Sequence, residues 1–435
     1  MAAFEPVLLR NRNVEGSTTL KVYESRGGYK ALRKALKMSP GDVVEEVKEA
    51  GLRGRGGAGF PAGVKWGFLP KDRKRTLLCV NADESEPPTF CNRVLMETDP
   101  HQMIEGTIIA AFATQAQVAY VYMRVEFHEQ FHIMQAAIDE AYAAGYLGKD
   151  ILGSGYCLEC YIHRGAGAYV CGEETGLIES IEGKRGCPRI KPPFPAIEGL
   201  FRMPTVVNNV ETLSCVPHII ERGASWFCGI GPEHSRGPKL FCISGPVKKP
   251  GCYEAAMDIT VRDLLEREDM GGGMADGKKV KAVFPGGLSM GVLTADELDM
   301  KMDFNDPRNY SLLGLGTAAA VVVPEGTDMR AVLRNITNFY ASESCGQCTQ
   351  CREGTSWMNK MATRISLDAG RMEDLDVILE TARNMGMMPG LSICGLPDGA
   401  TFPIETVIKK FRSEFEAAIQ AQPADRADRV LKVLN

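Results

Sequence analysis

The sequence contains no apolar run approaching the ~18 residues that a membrane-spanning helix needs, so any membrane attachment is expected through partners. It lacks a basic excess. Its 50 Lys and Arg face 55 Asp and Glu for a net charge of -5, which removes the electrostatic footprint of a nucleic-acid binder. The opening MAAFEPVLLR has no signal-peptide core, and neither an internal repeat nor a low-complexity segment is found. What is present is the composition of a globular protein, 24% charged and 44% hydrophobic. At 435 residues, two or three domains with sizeable cores are expected. Fourteen cysteines are many for a chain without an export signal. Disulfides are rare in reducing compartments, so clustered cysteines point to metal or redox work. The singly scattered Cys79, Cys171, Cys215 and Cys242 read as small buried hydrophobes.

Along residues 28–240, strands expected at 76–80, 117–125 and 160–164 alternate with helical patterns, including 132–145. Such alternation implies βαβ units and a mainly parallel sheet. Near 240 the pattern changes to a hairpin, a short helix and another strand, a ββαβ order fitting a small β-grasp domain. Gly271 to Gly273 fall in its helix-to-strand connection and read as a flexible loop. From 328 the periodicity is helical: Val332, Leu333, Ile336, Phe339 and Tyr340, then Trp357, Met361 and Ile365. A long apolar stripe follows from Ile404 through Phe411 and Phe415 to Ile419. The expected divisions are 1–240 (α/β), 241–327 (β-grasp) and 328–435 (helical bundle).

GLRGRGGAGF (51–60) satisfies G-x-G-x-x-G through Gly54, Gly56 and Gly59, the dinucleotide fingerprint that normally joins a strand to a helix. Here the preceding SPGDVVEEVKEAG reads as a helix, capped by Ser39 and opened by Pro40. The glycines therefore suit a different phosphate cradle, with Arg53, Arg55 and Lys65 adding positive charge and Phe60 and Phe68 placed to clamp a flat ring. Asn81, Asp83, Glu84 and Glu86 follow a strand, at the carboxyl end where open α/β sheets bind ligands. They suit the edge of a heterocycle or a helix cap. In GAGAYVCGEET, the small residues Gly165 to Ala168 permit close backbone approach. Glu173 and Glu174 offer carboxylates to ribose hydroxyls, which would repel a 2′-phosphate and favour NADH over NADPH. Lys184, Arg185 and Lys191 suit a solvated basic face, or Lys191 with Phe194 completes a nucleotide site; Asn208 and Asn209 add amides.

Cys345, Cys348 and Cys351 form C-x-x-C-x-x-C, a spacing that wraps one corner of a [4Fe-4S] cluster, and Cys394 is the candidate fourth ligand. Structural zinc is the competing occupant, although zinc sites usually pair two separate C-x-x-C knuckles. Cys157 and Cys160, three apart on an expected strand, point to opposite faces and read as packing.

GRGGAGFPAGVKW, NADESEP, GAGAYVCGEET, KPPFP, VNNVET and SCGQC-x-x-CREG, in this order, resemble the family of NADH-binding flavoproteins of respiratory complex I, the NADH–quinone oxidoreductase. The likeness runs from about residue 25 to 420. It implies a Rossmann-like FMN and NADH domain, a β-grasp (SLBB) domain and a helical bundle with one [4Fe-4S] cluster. NADH would be oxidised by hydride transfer to FMN, and single electrons would pass to the cluster and on toward quinone. By this resemblance the FMN loop is Gly54, Arg55, Gly56, Gly57 and Gly59, followed by Lys65. Further FMN contacts are Asn81, Asp83, Tyr169, Gly172, Glu173, Asn208 and Asn209, with Thr212 beside them. Phe60, Phe68, Glu86, Glu174, Lys191 and Phe194 surround NADH, with Glu86 positioning substrate rather than exchanging protons. Cys345, Cys348, Cys351 and Cys394 hold the cluster. The implied partners are a thioredoxin-like [2Fe-2S] subunit and a multi-cluster iron–sulfur subunit, on the cytoplasmic side of a bacterial inner membrane.

Several residues depart from the family pattern. Pro88 replaces a glycine, Cys91 and Asn92 replace a charged pair, Gln350 stands where proline is usual, and Ala62 replaces a threonine. Pro88 removes an N–H and positive φ; Cys91 and Asn92 put a salt bridge in doubt; Gln350 is expected to loosen the cluster loop. Two other functions remain open on these residues. One is the diaphorase of an NAD-linked hydrogenase or formate dehydrogenase; the other is a non-catalytic nucleotide-binding scaffold with structural zinc.

Overall fold

The computed structural model describes residues 4–73, 75–386, 391–423, 425, 426 and 428. Internal contacts divide the chain into two units. The first comprises Met1–Ser85, Thr89–Cys242 and Cys252–Ile259; the second comprises Glu86–Pro88, Ile243–Gly251 and Thr260–Asn435.

The first unit is organised by four parallel strands, β1 (Leu77–Ala82), β2 (Val118–Met123), β3 (Glu159–Arg164) and β4 (Thr205–Asn209), in the spatial order β3-β2-β1-β4. β1 is buried throughout except at Asn81, as expected for a strand covered on both faces. The helix Pro100–Thr114 is buried on nearly every side. It meets the helix Val210–Arg222 so closely that a Cβ on Gly106 would lie 2.0 Å from the Leu213 carbonyl oxygen. The expected strands are all present, and the helix expected at 132–145 begins earlier, at His128. The helix Pro40–Glu49 carries the Ser39–Asp42 capping box and Pro40 in its first turn.

The strand order positions the site. The chain moves outward from β1 to β2 and β3, then returns to the other flank of β1 as β4. The strand order reverses at β1, and the carboxyl ends of β1 and β4 lie side by side, the place where open α/β sheets bind ligands. Asn81 of β1 and Asn209 of β4 are register partners there.

Strand β5 (Pro238–Ser244), divided between the units after Cys242, precedes β6 (Gly251–Ala256). Then come the helix Val261–Glu266 and β7 (Val280–Phe284), matching the expected ββαβ order. In the second unit, β7 pairs antiparallel with both β8 (Leu293–Thr294) and β9 (Ala319–Pro324). The Gly271–Gly273 run is more than a slack connection. The amides of Lys248 and Lys249 donate to the Gly273 and Gly271 carbonyls at 2.9 and 3.0 Å.

Among the described residues five helices follow: Met329–Glu343, Thr349–Ser366, Met372–Met385, Leu396–Lys410 and Arg412–Gln420. Two expectations need correction. Trp357 is 55% exposed, because its helix buries Cys351, Thr355, Met358, Ala362 and Ile365 and turns Trp357 away from that stripe. The Ile404–Ile419 stripe is not one helix; it breaks at Phe411, whose backbone (φ -117°, ψ 20°) is non-helical.

Candidate functional site

Residues 52–62 fold into a closed loop between two helices, Pro40–Glu49 and Ala62–Trp66. Arg53 and Pro61 form an antiparallel bridge. The Gly54 amide donates to the Phe60 carbonyl, and that of Ala62 to Leu52, each at 2.8 Å. Arg53 Nε closes the loop further on the Gly59 carbonyl, also at 2.8 Å. This is not a strand-to-helix turn. Gly57 and Gly59 have φ of +125° and +65°, a region that favours glycine. A Cβ on Gly56 would lie 3.1 Å from Asn209 Cβ, whereas one on Gly57 would meet nothing within 4 Å. The loop therefore presses on the end of β4 through Gly56 and leaves the backbone bare at Gly57.

The loop is pinned from below. The Arg55 amide donates to Thr212 Oγ1 at 2.8 Å. Its guanidinium turns inward, 2% exposed, and donates to the Arg236 and Pro238 carbonyls at 2.7 and 3.1 Å. The expectation that Arg55 presents its positive charge to the cradle is corrected, because the guanidinium is buried with Nη2 donating to both carbonyls; the residue anchors the loop.

At the reversal point, side-chain amides hold backbone. Asn81 Nδ2 donates to the Gly172 carbonyl at 2.9 Å, and Asn81 Oδ1 accepts from the Asp83 amide at 3.0 Å. These bonds bring the NADES loop to the short helical turn Tyr169–Gly172. Asn209 caps the helix Val210–Arg222, accepting from the Glu211 and Thr212 amides. Asn208 Oδ1 accepts from Trp66 Nε1 at 2.8 Å. Trp66 had carried no sequence signal of its own; only the fold shows that it orients Asn208.

Near these amides lies a lysine–glutamate network. Glu173 caps the helix Glu174–Ile181 with one oxygen and accepts from Lys191 Nζ at 2.7 Å with the other. Glu174 accepts from Lys65 at 2.7 Å and from Lys191 at 3.2 Å. Burial pushes the Glu174 carboxyl up, but Lys65 and Lys191 outweigh it and hold it below its ordinary value. The same pairing, against burial, holds Lys191 above its ordinary value. Phe60 and Phe68 stand 5.9 Å apart at a 48° tilt, and with Phe194 they are about half exposed. In the second unit, Glu86 accepts from the Ser289 amide at 2.7 Å.

The departure at Cys91 and Asn92 opens the helix Cys91–Thr98, whose Asn92 and Arg93 amides donate to Glu84 at 2.7 and 2.9 Å. Glu84 is thus a helix-terminal anchor. Burial pushes its carboxyl up to about 7 in spite of those donors. Lys184 pairs with Glu182 at the surface, as a solvated basic face should.

In the second unit, Cys345 follows the helix Met329–Glu343, Cys348 sits at the N-cap of Thr349–Ser366, and Cys351 lies in its first turn. Cys394 lies between Met372–Met385 and Leu396–Lys410. The Ile393 amide points at Cys348 Sγ, 3.5 Å away, which brings the Cys394 segment to the triplet. Ser344 Oγ lies 3.3 Å from Cys351 Sγ. The Gln350 side-chain amide meets the Leu391 carbonyl, in the segment that leads to Cys394. Cys157 is exposed and precedes β3, while Cys160 is buried within it, so the expectation that both lie on one strand is corrected. Cys242, however, is not single: it meets Cys91 and Cys252.

Three family models match in succession: the Nuo51 FMN-binding domain at residues 47–218, the SLBB domain at 239–323, and the NADH-ubiquinone oxidoreductase-F iron-sulfur binding region at 331–418. An NADH-quinone oxidoreductase F-subunit of Rhizobium meliloti (strain 1021), the copy numbered 2, is 51% identical over 96% of this chain and 98% of its own length. The F-subunit of Streptomyces coelicolor is 47% identical, covering 95% of this chain and 91% of its own. Among solved structures, a NAD+-reducing [NiFe]-hydrogenase in the H2-reduced state is similar, with a TM-score of 0.82 and 34% identity over 93% of this chain and 67% of that one. The chain belongs to the F-subunit family of NADH-quinone oxidoreductase.

Proposed function

We propose that the chain oxidises NADH through bound FMN and passes electrons singly to a [4Fe-4S] cluster, as the electron-input subunit of a quinone-reducing complex. The observation that carries this most directly is the pairing of Asn81 with Asn209 at the sheet's reversal point, directly under the glycine loop. Bound FMN supplies the exchange between two-electron hydride chemistry and the one-electron steps of an iron–sulfur cluster.

The residues suit these groups. Backbone left bare at Gly57 admits a phosphate-bearing ligand that any side chain there would oppose. The loop Gly54–Gly59 with Lys65 would hold FMN, together with Asn81, Asp83, Tyr169, Gly172, Glu173, Asn208 and Asn209. Thr212 acts behind them by fixing the Arg55 amide. Phe60, Phe68 and Phe194 offer exposed ring faces for the flat parts of NADH. Glu174 and Lys191 meet its sugar and phosphate groups, and Glu86 orients it. No side-chain nucleophile or general base is needed, so these residues bind and orient. Cys345, Cys348, Cys351 and Cys394 would hold the cluster, with sulfur donors alone and an amide aimed at Cys348 Sγ to moderate its charge. The domains run 1–240, 241–327 and 328–435.

Among the described residues no helix is long and apolar enough to cross a membrane. We place the chain peripherally on the cytoplasmic side of a bacterial inner membrane, held by a thioredoxin-like [2Fe-2S] subunit and a multi-cluster iron–sulfur subunit. The hydrogenase likeness favours one second reading, a diaphorase subunit. Native copurification separates the two: quinone-reducing membrane subunits support the first, a nickel hydrogenase the second. For the redox function itself, anaerobic reconstitution should yield flavin and iron–sulfur absorbance, both bleached by NADH. A colourless protein holding zinc would overturn it.

A further inference from the structure

Cys91 opens the helix Cys91–Thr98, Cys242 lies in β5 and Cys252 in β6. Although 151 positions separate the first two, their Sγ atoms are 3.2 Å apart. All three Sγ atoms lie within 4.8 Å of one another, every side chain is at most 1% exposed, and none is in a disulfide. Beside them the buried Lys239 Nζ donates to Glu211 Oε2 at 2.7 Å and to the Leu240 carbonyl at 2.9 Å, and Cys91 Sγ lies 3.5 Å from that same carbonyl.

We propose that Cys91, Cys242 and Cys252 form a binding site for one soft monovalent d10 cation, with Cu(I) as its natural instance, distinct from the cysteines assigned to the iron–sulfur cluster. The donor set selects the ion. Three sulfurs with no carboxylate or imidazole among them suit soft metals and offer nothing to magnesium, calcium or manganese. Structural zinc sites want four ligands in a tetrahedron, and among the described residues no fourth Cys, His, Asp or Glu joins this group. Lys239 and Glu211 neutralise each other, and the buried Glu84 carboxyl faces them. Metals take thiolate rather than thiol sulfur, so Cu(I) binding releases one proton for each thiolate engaged: the first leaves a neutral complex, and each further one adds a negative charge beside the Lys239 ammonium. Simple packing of three small side chains is the alternative. It explains the burial and forecasts no metal affinity.

The test uses the full chain with FMN and its iron–sulfur cluster in place. Anaerobic incubation with Cu(I), buffered by the chelator bicinchoninate, should leave one copper per chain, with a sulfur-only shell in X-ray absorption and undiminished iron. Cys91→Ala, Cys242→Ala and Cys252→Ala should each lower affinity by at least about 100-fold, the upper end of what loss of an outer-shell partner costs a metal site. Cys215→Ala, another buried cysteine, should change nothing. Should the strand variants fail to fold, Cys91→Ser at the helix start carries the comparison, checked by retained flavin. Retention of copper by Cys91→Ala and Cys91→Ser, a nitrogen or oxygen shell, or binding only at the expense of iron would each overturn the proposal.

Discussion

Two sets of lysine–glutamate pairs in the first unit use the same chemistry under opposite solvation. Lys239 and Glu211 are each 1% exposed; Lys65, Lys191, Glu173 and Glu174 retain about a quarter of their exposure. Glu211 is fully employed, accepting from Lys239 and from the Leu240 amide at 2.9 Å. Burial would push Lys239 down, yet Glu211 and its neighbours hold it above its ordinary value. Such a pair has committed its desolvation to the fold and cannot be spared for a ligand. The network at Glu174 is different. Its lysines can exchange a carboxylate for a phosphate at little desolvation cost, because water already reaches them. Solvation, not residue type, separates structural charge from charge available for binding.

The largest effect should come from breaking the buried pair. Lys239→Met leaves the buried Glu211 carboxyl without its cation, and should lower unfolding stability by about 3–5 kcal/mol in urea titrations. Replacing both partners with apolar residues should recover part of that loss, leaving the stranded Leu240 amide to cost about 1–3 kcal/mol. A single mutant as stable as the parent would dissolve the contrast.

A smaller effect concerns Glu84, which faces Glu211 and Lys239. Its folded carboxyl titrates near 7, above the ordinary value of 4.5. Between those values the folded chain keeps a proton that the unfolded chain has released, so the Glu84 contribution to stability falls as pH rises through that window. Glu84→Gln cannot ionise. Its stability relative to the parent should therefore rise from pH 5 to pH 7 and then level off in denaturation measured across pH; a constant difference would remove the assigned shift.

The smallest stability change is expected at the half-buried Glu174 network. Glu174→Gln should cost less than about 1 kcal/mol. Steady-state kinetics should nonetheless show the NADPH-to-NADH ratio of kcat/KM rising about tenfold, equivalent to ~1.4 kcal/mol of lost repulsion toward the 2′-phosphate. Unchanged discrimination would mean that Glu174 does not meet the ribose.

Local pattern made much of this molecule legible. Ser39, Pro40 and Asp42 announced a helix before the glycines, and that alone separated GRGGAG from an ordinary dinucleotide turn. The short spacing of Cys345, Cys348 and Cys351 was readable because it lies within one loop and one helical turn. Where the pattern misled, a distant partner had intervened. Arg55 looked like charge for the phosphate cradle until the Arg236 and Pro238 carbonyls engaged it.

By itself, then, the sequence determined the order of helices and strands, the family and the chemical types assembled at the carboxyl ends of β1 and β4, since periodicity, caps and motifs act over a few neighbouring residues. Tertiary structure alone decided which of those groups lose their water and what they meet. Lys239 is an ordinary lysine in the chain, and Cys91, Cys242 and Cys252 are unrelated positions in it. Desolvation and contact across 151 residues are properties of packing, and they arise only when separate elements close on one another.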